Sequence, residues 1–329
     1  MPRNLFYLSA AAVRRALPMR EAIQAMREAF AQLGHGEATM PARLRMDAPA
    51  EHGVALVMPS HSAAQQLFSL KMVSMFADNP QRGLPTIQSL VLLTDGTSGA
   101  PLAILEGASL TAIRTGAASG LATDLLARPD AAAAAIFGAG VQARTQLEAV
   151  CAVRPIRRAR VYDLAPGAAE RFAAEMSERL GIPVEPAGSS AENLEDAEVV
   201  CTATPSGQPV FADHELPPGV HVNAIGGYRP DMIEVPAATV CRARVVVDHR
   251  LAALEEAGDL LAPLRSGLIG EEHFATELAD LVLGRQPGRT AADETTLFKS
   301  VGVGIQDLCA AARALANARQ RGLGTQLEM

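Results

Sequence analysis

The sequence has few aromatic residues and no run of basic residues, and both shortages restrict what the protein can bind. Of its 329 residues, nine are phenylalanine, three are tyrosine and none is tryptophan. Proteins that bind single-stranded nucleic acids stack the bases on such rings. The formal net charge is −7 at pH 7, and no five basic residues follow one another. We therefore expect no nucleic-acid partner.

Long apolar runs, paired cysteines and metal motifs are also lacking. No stretch approaches the ~18–20 consecutive apolar residues that a membrane span requires, so we expect no membrane partner. No H-E-x-x-H motif is present, and we expect no metal site. The four cysteines are tens of residues apart, at Cys151, Cys201, Cys241 and Cys309. A secreted disulfide framework has closer spacings, so the pattern predicts reduced thiols in a cytoplasmic protein.

The chain has ample apolar material for a folded core. Hydrophobic residues make up 49% of the sequence and charged residues 20%, which is unlike a disordered chain. A length of 329 residues exceeds that of one average domain and favours two.

The N-terminal third predicts helices followed by a sheet. Residues 9–34 are typical of two helices, the first capped by Ser9 and the second beginning at Pro18. Residues 41–105 contain short β-rich runs broken by Gly and Pro, as in a sheet with turns. A further helix is predicted over about 109–127, before Arg-Pro.

From residue 131 onward, predicted strands alternate with predicted helices. The strands are expected at 132–137, 159–163, 184–186, 198–202, 221–225 and 245–248. This alternation is typical of an α/β fold with a doubly wound parallel sheet. The tail, 295–319, is predicted to be one long helix.

A glycine-rich turn after the first of these strands indicates a dinucleotide site. The predicted strand 132–137 runs into Gly138-Ala-Gly-Val-Gln-Ala143, which opens a helix. Gly138 permits the tight turn and Gly140 lets the backbone approach a pyrophosphate. Ala143 allows close helix–strand packing, and the helix N-terminus directs partial positive charge at the phosphates.

Asp163 supports the same interpretation and bears on the choice of cofactor. It follows Gly140 by 23 positions, at the end of the next predicted strand. A carboxylate there binds the adenosine ribose hydroxyls and repels a 2′-phosphate. The alternative is a capping Asp in an ordinary α/β domain. We favour NAD(H), and the nearby Arg157, Arg158 and Arg160 leave NADP(H) open.

Segments along the whole chain, in the right order, resemble the ornithine cyclodeaminase/mu-crystallin family. They are Thr111-Ala-Ile-Arg-Thr115, Gly138-Ala-Gly-Val-Gln-Ala143, Thr202-Ala-Thr-Pro205 and Thr296-Leu-Phe-Lys-Ser-Val-Gly302. The resemblance implies a homodimer with a central Rossmann domain and a discontinuous α+β substrate-binding and dimerisation domain. It places the dinucleotide-binding domain at 116–304 and the other domain at 1–115 and 305–329.

The resemblance also implies which residues hold a nicotinamide cofactor. They are Thr115, Gly138, Gly140, Val141, Gln142, Asp163, Thr202, Thr204, Gly226, Val301 and Gly302.

Three basic residues match the family's substrate pocket. Arg43, Lys71 and Arg114 correspond to positions that hold a substrate carboxylate, for which a guanidinium offers two parallel hydrogen bonds. Lys71 lies in an apolar stretch, where burial lowers its pKa and suits it to donate a proton. Taken alone, each residue is better explained by an exposed ion pair. The agreement of all three with the motif favours a substrate site.

One segment departs from the family's cyclodeaminases. Those enzymes carry Gly-Gly-Asp or Gly-Ser-Asp, with the Asp as acid–base group, where this chain has Gly226-Gly-Tyr228. A phenol with a pKa near ~10 is a poor replacement. The continuation Arg229-Pro-Asp-x-x-Glu234 resembles mu-crystallin and ketimine reductases. Asp231 either substitutes for the missing Asp or, in our preferred interpretation, caps the turn or pairs with Arg229.

The resemblance therefore implies an NAD(P)H-dependent reductase of small cyclic ketimine acids, such as 1-pyrroline-2-carboxylate, that yields L-amino acids. Its candidate catalytic residues are Lys71, Arg114, Tyr228 and Asp231. Three alternatives remain open: an ornithine cyclodeaminase that forms proline and ammonia, an alanine-dehydrogenase-like enzyme, and a non-catalytic nucleotide-binding protein.

Overall fold

The computed structural model describes residues 4–328, which form two compact units. One unit contains the chain up to Arg114 and again from Val303 onward, and the other is Thr115–Gly302. The binding role that we assign to each predicted domain stays a prediction.

The first third of the chain builds strands and three helices. The strands are β1 (Asn4–Leu8), β2 (Ala38–Thr39), β3 (Leu44–Ala48), β4 (Gly53–Ser62), β5 (Leu67–Phe76), β6 (Ile87–Asp95) and β7 (Pro101–Glu106). The helices are α1 (Ala10–Ala16), α2 (Met19–Gly34) and α3 (Gly107–Leu126). The predicted caps are confirmed, because the Ser9 hydroxyl accepts the Ala12 N–H and Pro18 directly precedes α2. β1 was not predicted.

The second unit continues with seven more strands and the helices between them. The strands are β8 (Ala133–Phe137), β9 (Arg158–Tyr162), β10 (Val184–Pro186), β11 (Val199–Thr202), β12 (His221–Ala224), β13 (Arg244–Val247) and β14 (Thr296–Lys299). The helices are α4 (Val141–Val153), α5 (Ala168–Leu180), α6 (Ser190–Leu194), α7 (Ala237–Arg242), α8 (Arg250–Glu256), α9 (Gly258–Arg265) and α10 (Leu278–Val282).

These seven strands form one parallel sheet in the order β10-β9-β8-β11-β12-β14-β13. Its inner strand β8 is buried on both faces, with Ala134 and Ile136 in one apolar core and Ala135 and Phe137 in the other. The reversal of strand order at β8 is that of a doubly wound sheet, which confirms the predicted fold class.

The prediction of one long helix over 295–319 is wrong. Thr296–Lys299 form β14, fully buried between β12 and β13. A strand buried on both faces shows no alternation of polar and apolar residues, so its sequence is hard to distinguish from a buried helix. Gly302 then has a φ of +81°, a left-handed conformation that separates β14 from the following helix, α11 (Gly304–Arg321).

The last strand, β15 (Thr325–Glu328), pairs with β1 and forms one edge of the sheet of the first unit. The strand order of this sheet is β15-β1-β7-β6-β5-β4-β2, and β3 pairs with β4. Within this unit, α11 packs on β4, β5 and β6 and against α2. β5 alternates accordingly, with Ser69 and Lys71 buried and Phe68, Leu70 and Met72 exposed. Lys71 and Ser69 therefore point to the same, buried side of the sheet.

Among residues 4–328, no helix combines the length and the apolar character needed to cross a membrane.

Candidate functional site

A cavity of about 620 Å³ lies in the second unit at the carboxyl ends of β8, β9 and β11. Its lining includes the glycine turn 138–140, residues 162–165 after β9, and residues 203–206 after β11. Ligands of doubly wound sheets bind at this edge, beside the point where the strand order reverses. The cavity therefore occupies the position expected for a dinucleotide.

The local geometry of the turn fits a pyrophosphate. Gly138 has a φ of +91°, and a Cβ there would lie 2.7 Å from the carbonyl oxygen of Ala203. Gly140 is the N-cap of α4, where no side chain accepts the first N–H groups and a Cβ would meet no atom within 4 Å. The start of α4 thus offers unoccupied backbone donors to an anion.

Asp163 joins two walls of this cavity. Its Oδ2 accepts the Ala139 N–H at 2.6 Å and its Oδ1 accepts the Ala165 N–H at 2.7 Å. Each carboxylate oxygen has a second lone pair, which leaves acceptors for ribose hydroxyls. The capping alternative and the ribose-binding role are therefore compatible at this position.

The neighbouring arginines point to other partners. Arg158 pairs with Asp196, and Arg160 pairs with Glu195 and Asp196. These two side chains are already engaged by carboxylates, which weakens the case for a 2′-phosphate site.

The structure places the other predicted cofactor residues unevenly. Thr204 lines the cavity, while Val141 and Gln142 lie in the first turn of α4, with Val141 67% exposed. Thr202 is fully buried at the end of β11, next to the lining rather than in it.

The remaining predicted cofactor residues lie outside the cavity lining, as far as the described residues show. Thr115 is buried in α3, and Gly226 follows β12. The N–H groups of Val301 and Gly302 donate to Asp248, which holds the turn after β14. Their contact with a cofactor stays a prediction.

A buried network that was not predicted from the sequence lies behind Thr204 and Gly226. Glu234, which is 0% exposed, accepts the Thr204 N–H at 2.6 Å and the Thr204 hydroxyl at 2.8 Å through Oε1. Its Oε2 accepts the N–H groups of Gly226 and Gly227, at 2.7 and 3.2 Å. One carboxylate therefore holds together the chain segments that follow β11 and β12.

Asp259 and Lys299 complete what we call the Lys299 cluster, which is Glu234, Asp259 and Lys299. Asp259 accepts the N–H groups of Glu234 and Val235 through Oδ1. Lys299 Nζ lies 2.6 Å from Asp259 Oδ2 and donates to the Gly227 carbonyl, also at 2.6 Å. Burial and the nearby Asp259 raise the pKa of Glu234, against the opposing charge of Lys299.

A second buried cluster lies in the first unit and contains two predicted substrate residues. Lys71 on β5 and Arg114 on α3 are 2% and 5% exposed, and both pair with the fully buried Asp307 of α11. Lys71 Nζ is 3.2 Å from each Asp307 carboxylate oxygen, and Arg114 Nε is 3.1 Å from Oδ1. We call Lys71, Arg114 and Asp307 the Lys71 cluster.

Asp307 and its neighbour Gln306 were not predicted. Gln306 Oε1 accepts a hydrogen bond from Arg114 Nη1 at 2.7 Å. A signal exists in the sequence, since Gln306-Asp307 interrupts the apolar start of α11 on its buried side. Without the fold, nothing connects these residues to cations 193 or 236 positions away.

The charges in this cluster do not balance. Burial lowers the pKa of Lys71 to about 8, with Arg114 and Arg43 acting in the same direction and Asp307 opposing them. Burial alone would raise the pKa of Asp307, but Arg114 and Lys71 outweigh it and keep that pKa below its ordinary value. Arg43 is half-buried and close enough to act on Lys71. Lys71 and Arg114 thus face one carboxylate, and this surplus of positive charge suits an anionic ligand.

Comparison with known protein families gives a match along almost the whole chain. The model of the ornithine cyclodeaminase/mu-crystallin family matches residues 4–321. This chain belongs to that family. The resemblance identified from the sequence motifs is therefore confirmed.

Several members of the ornithine cyclodeaminase/mu-crystallin family match along their full length. A Delta(1)-pyrroline-2-carboxylate reductase of Bacillus cereus is 37% identical, over 98% of this chain and 100% of its own. The solved Delta(1)-pyrroline-2-carboxylate reductase of Thermococcus litoralis, in complex with NADH and L-proline, is 40% identical with a TM-score of 0.93, covering 98% of this chain and 100% of that one. A solved archaeal alanine dehydrogenase dimer with bound NAD is 31% identical with a TM-score of 0.92, covering 99% and 100%.

The segment that departs from the family's cyclodeaminases is ordered around the Lys299 cluster. Tyr228 is half-buried and directly follows Gly227, which Glu234 and Lys299 both hold. Asp231 pairs with Arg229 through two hydrogen bonds of 2.9 and 3.1 Å, and its side chain is 69% exposed. This is the preferred interpretation of Asp231 from the sequence, and it leaves the surrogate acid–base role without structural support.

Proposed function

We propose that this chain is an NAD(H)-dependent reductase that converts small cyclic imino acids, such as 1-pyrroline-2-carboxylate, into L-amino acids. The observation that carries the proposal is the surplus of buried positive charge around Lys71, which matches the carboxylate of such a substrate. The cavity beside Asp163 matches the cofactor. The resemblance to reductases, one of them solved with NADH and L-proline, supports the same reaction.

In this proposal the chain's own residues bind the substrate and supply a proton. Arg114 and Arg43 hold the carboxylate, and Lys71 lies beside it. When bound, reduced nicotinamide supplies the hydride that forms the new C–H bond at the imine carbon. The electron pair of the C=N double bond becomes an N–H bond with a proton from Lys71 Nζ. A pKa of about 8 leaves that ammonium protonated at neutral pH and able to give up its proton.

The cofactor proposed is NAD(H) rather than NADP(H). Asp163 presents a carboxylate at the position where a 2′-phosphate would lie. Arg158 and Arg160 are engaged by Asp196, so neither is available to neutralise such a phosphate. Solved relatives described with NADH or NAD support this preference.

A second candidate is an amino-acid dehydrogenase that acts on an acyclic imine. The archaeal alanine dehydrogenase, with its TM-score of 0.92, supports it. Ornithine cyclodeamination is less well supported, because Tyr228 occupies the position of the acid–base Asp and Asp231 is paired with Arg229.

One set of assays separates these reactions. Purified protein is mixed with NADH and either 1-pyrroline-2-carboxylate or 1-piperideine-2-carboxylate, and the loss of reduced cofactor is followed. We expect rapid oxidation with a cyclic imine and little with pyruvate plus ammonia. Faster oxidation with pyruvate plus ammonia would favour the dehydrogenase. Release of ammonia from ornithine with NAD would contradict the reductase.

We further propose that the enzyme is a homodimer of the cytoplasm. The outer face of the first unit's sheet exposes Phe68, Leu70, Met72 and Leu90, which are 42–52% accessible. Large apolar side chains grouped on one face mark association surfaces, and we assign a second copy to this one. The alanine dehydrogenase relative, a dimer, supports that occupant.

Light scattering of the Leu70→Lys variant tests the association, with Leu251→Lys as a control at an exposed position of the other unit. We expect dissociation only for the Leu70→Lys variant.

The free state of the four cysteines supports the proposed cytoplasmic location, because a reducing compartment keeps thiols in that state.

A further inference from the structure

The site proposed to hold the substrate carboxylate contains a buried carboxylate of its own. Asp307 is 0% exposed, lies in the first turn of α11 and contacts cations from two other elements, β5 and α3. A buried anion in an anion-binding site lowers the affinity for the ligand unless it has another task. The contacts of Asp307 indicate what that task is.

Asp307 orients Arg114 for a ligand. Its Oδ1 accepts from Nε, and Gln306 accepts from Nη1, so adjacent residues of α11 fix the plane of the guanidinium. Among the described residues, Arg114 Nη2 has no hydrogen-bond partner, and the buried Gln306 Nε2 has none either. Both donors are left for a carboxylate, and the orientation of Gln306 follows from its bond to Arg114.

Asp307 also determines the charge on Lys71. The charged groups that face Lys71 are Asp307, which favours the ammonium, and Arg114 and Arg43, which disfavour it together with burial. Lys71 Nζ is within hydrogen-bond distance of both Asp307 oxygens, and an ammonium has three hydrogens, so at least one remains for the substrate. Without Asp307, every remaining influence on Lys71 favours the neutral amine.

We propose that Asp307 is the positioning residue of the substrate site: it holds the Arg114 guanidinium in the orientation that binds the carboxylate and keeps Lys71 charged as the proton donor. This inference rests on the proposed function for the identity of the ligand. The positions and charges of the three residues do not depend on that identity.

The chain offers an unusually direct test, because Lys71 and Lys299 are its only two lysines. Full-length protein labelled with ¹³C at lysine Cε gives two signals, which the Lys71→Arg variant assigns. The pH midpoint of the Lys71 signal is compared between the original protein and Asp307→Asn. We expect the midpoint to move from about 8 to lower pH by about one unit or more.

Kinetics give a second readout. The imine-reduction rate constant kcat/KM is expected to fall as pH rises through the Lys71 midpoint, and Asp307→Asn should move this decline to lower pH by the same amount. NADH affinity should change less than about twofold, since the cofactor site belongs to the other unit. The conservative Asp307→Glu variant should restore the midpoint while raising KM, because its longer side chain displaces Arg114.

Three results would overturn the proposal. They are an unchanged Lys71 midpoint in Asp307→Asn, a loss of kcat/KM that is equal at every pH, and full activity of that variant across the range. If Asp307→Asn does not fold, the Asp307→Glu variant decides, and a shifted midpoint there would count against the proposal. If no imine is reduced by the original protein, the proposed function fails, yet the lysine signal still tests Asp307.

Discussion

The two lysines of the chain lie in two buried clusters of ionisable side chains, and the formal net charges of these clusters have opposite signs. The Lys71 cluster has two cations and one carboxylate, while the Lys299 cluster has two carboxylates and one cation. In the first, donors of Arg114 and Gln306 remain unpaired among the described residues. In the second, the oxygens of Glu234 are filled by backbone N–H groups and the Thr204 hydroxyl.

This difference shows how a buried cluster of charged residues that binds a ligand can be told apart from one that only stabilises the fold. Burial is equal in both, so burial alone is uninformative. Buried donors that lack a partner indicate a place for a ligand that accepts hydrogen bonds, such as an anion. A buried carboxylate whose oxygens already accept from backbone N–H groups instead holds loops in place.

The largest expected effect is on catalysis, from Lys71→Met. Removal of a positioned proton donor that also lies beside the carboxylate should lower kcat/KM for the cyclic imine about 10²–10⁴-fold. Asp307 keeps its pair with Arg114, so the fold should persist. Steady-state kinetics with NADH measure the loss, and NADH binding serves as the control for folding. Near-normal turnover of the variant would contradict a catalytic role for Lys71.

Lys299→Met is the matched change in the other cluster. It leaves Glu234 and Asp259 buried without a cation, and breaking a buried pair in this way costs about 3–5 kcal/mol of unfolding free energy. Urea unfolding of the original and variant proteins measures it. If Lys71→Met proved to be the more destabilising of the two, the assignment of structural and binding roles would have to be exchanged.

Glu234→Gln tests whether the Lys299 cluster supports the cofactor site. An amide places an N–H₂ group against the N–H groups of either Thr204 or Gly226, so one of these segments should move. We expect NADH to bind roughly tenfold more weakly, the equivalent of one charge-assisted hydrogen bond of about 1.5 kcal/mol. Fluorescence titration provides the dissociation constant, and the Lys71 midpoint should stay unchanged.

The smallest effect is a pH dependence of stability with opposite signs in the two clusters. Folding lowers the pKa of Lys71 from 10.5 to about 8, so above pH 8 the unfolded chain binds more protons and this group's contribution to stability rises with pH. The rise is about 1 kcal/mol between about pH 7 and about pH 9.

Folding raises the pKa of Glu234 above 4.5. Between the unfolded and the folded pKa the folded state therefore binds more protons, and this group's contribution falls as pH increases through its folded pKa. Urea unfolding at several pH values, with Lys71→Met and Glu234→Gln as references, measures both slopes. Equal slopes in a variant and the original protein would contradict the corresponding shift.

Features with local physical causes could be predicted from the sequence. The turn at Gly138 and the Ser9 cap depend on residues within a few positions, and short apolar or β-rich runs between helices and turns revealed most strands. The helix predicted over 295–319 failed at Thr296–Lys299, because a strand buried on both faces lacks alternation. Lys71 and Arg114 were found through motifs, but Asp307 was not, since its pairing depends on α11 packing against β5.

Because both lysines are at most 2% exposed, reagents and proteases specific for lysine meet almost no target on the folded surface. An endoprotease that cuts after lysine would need each unit to open before it could act. Cleavage after Lys71 would then report opening of the first unit, and cleavage after Lys299 would report opening of the second. Each of the two units therefore contains one buried lysine cleavage site that reports when that unit opens.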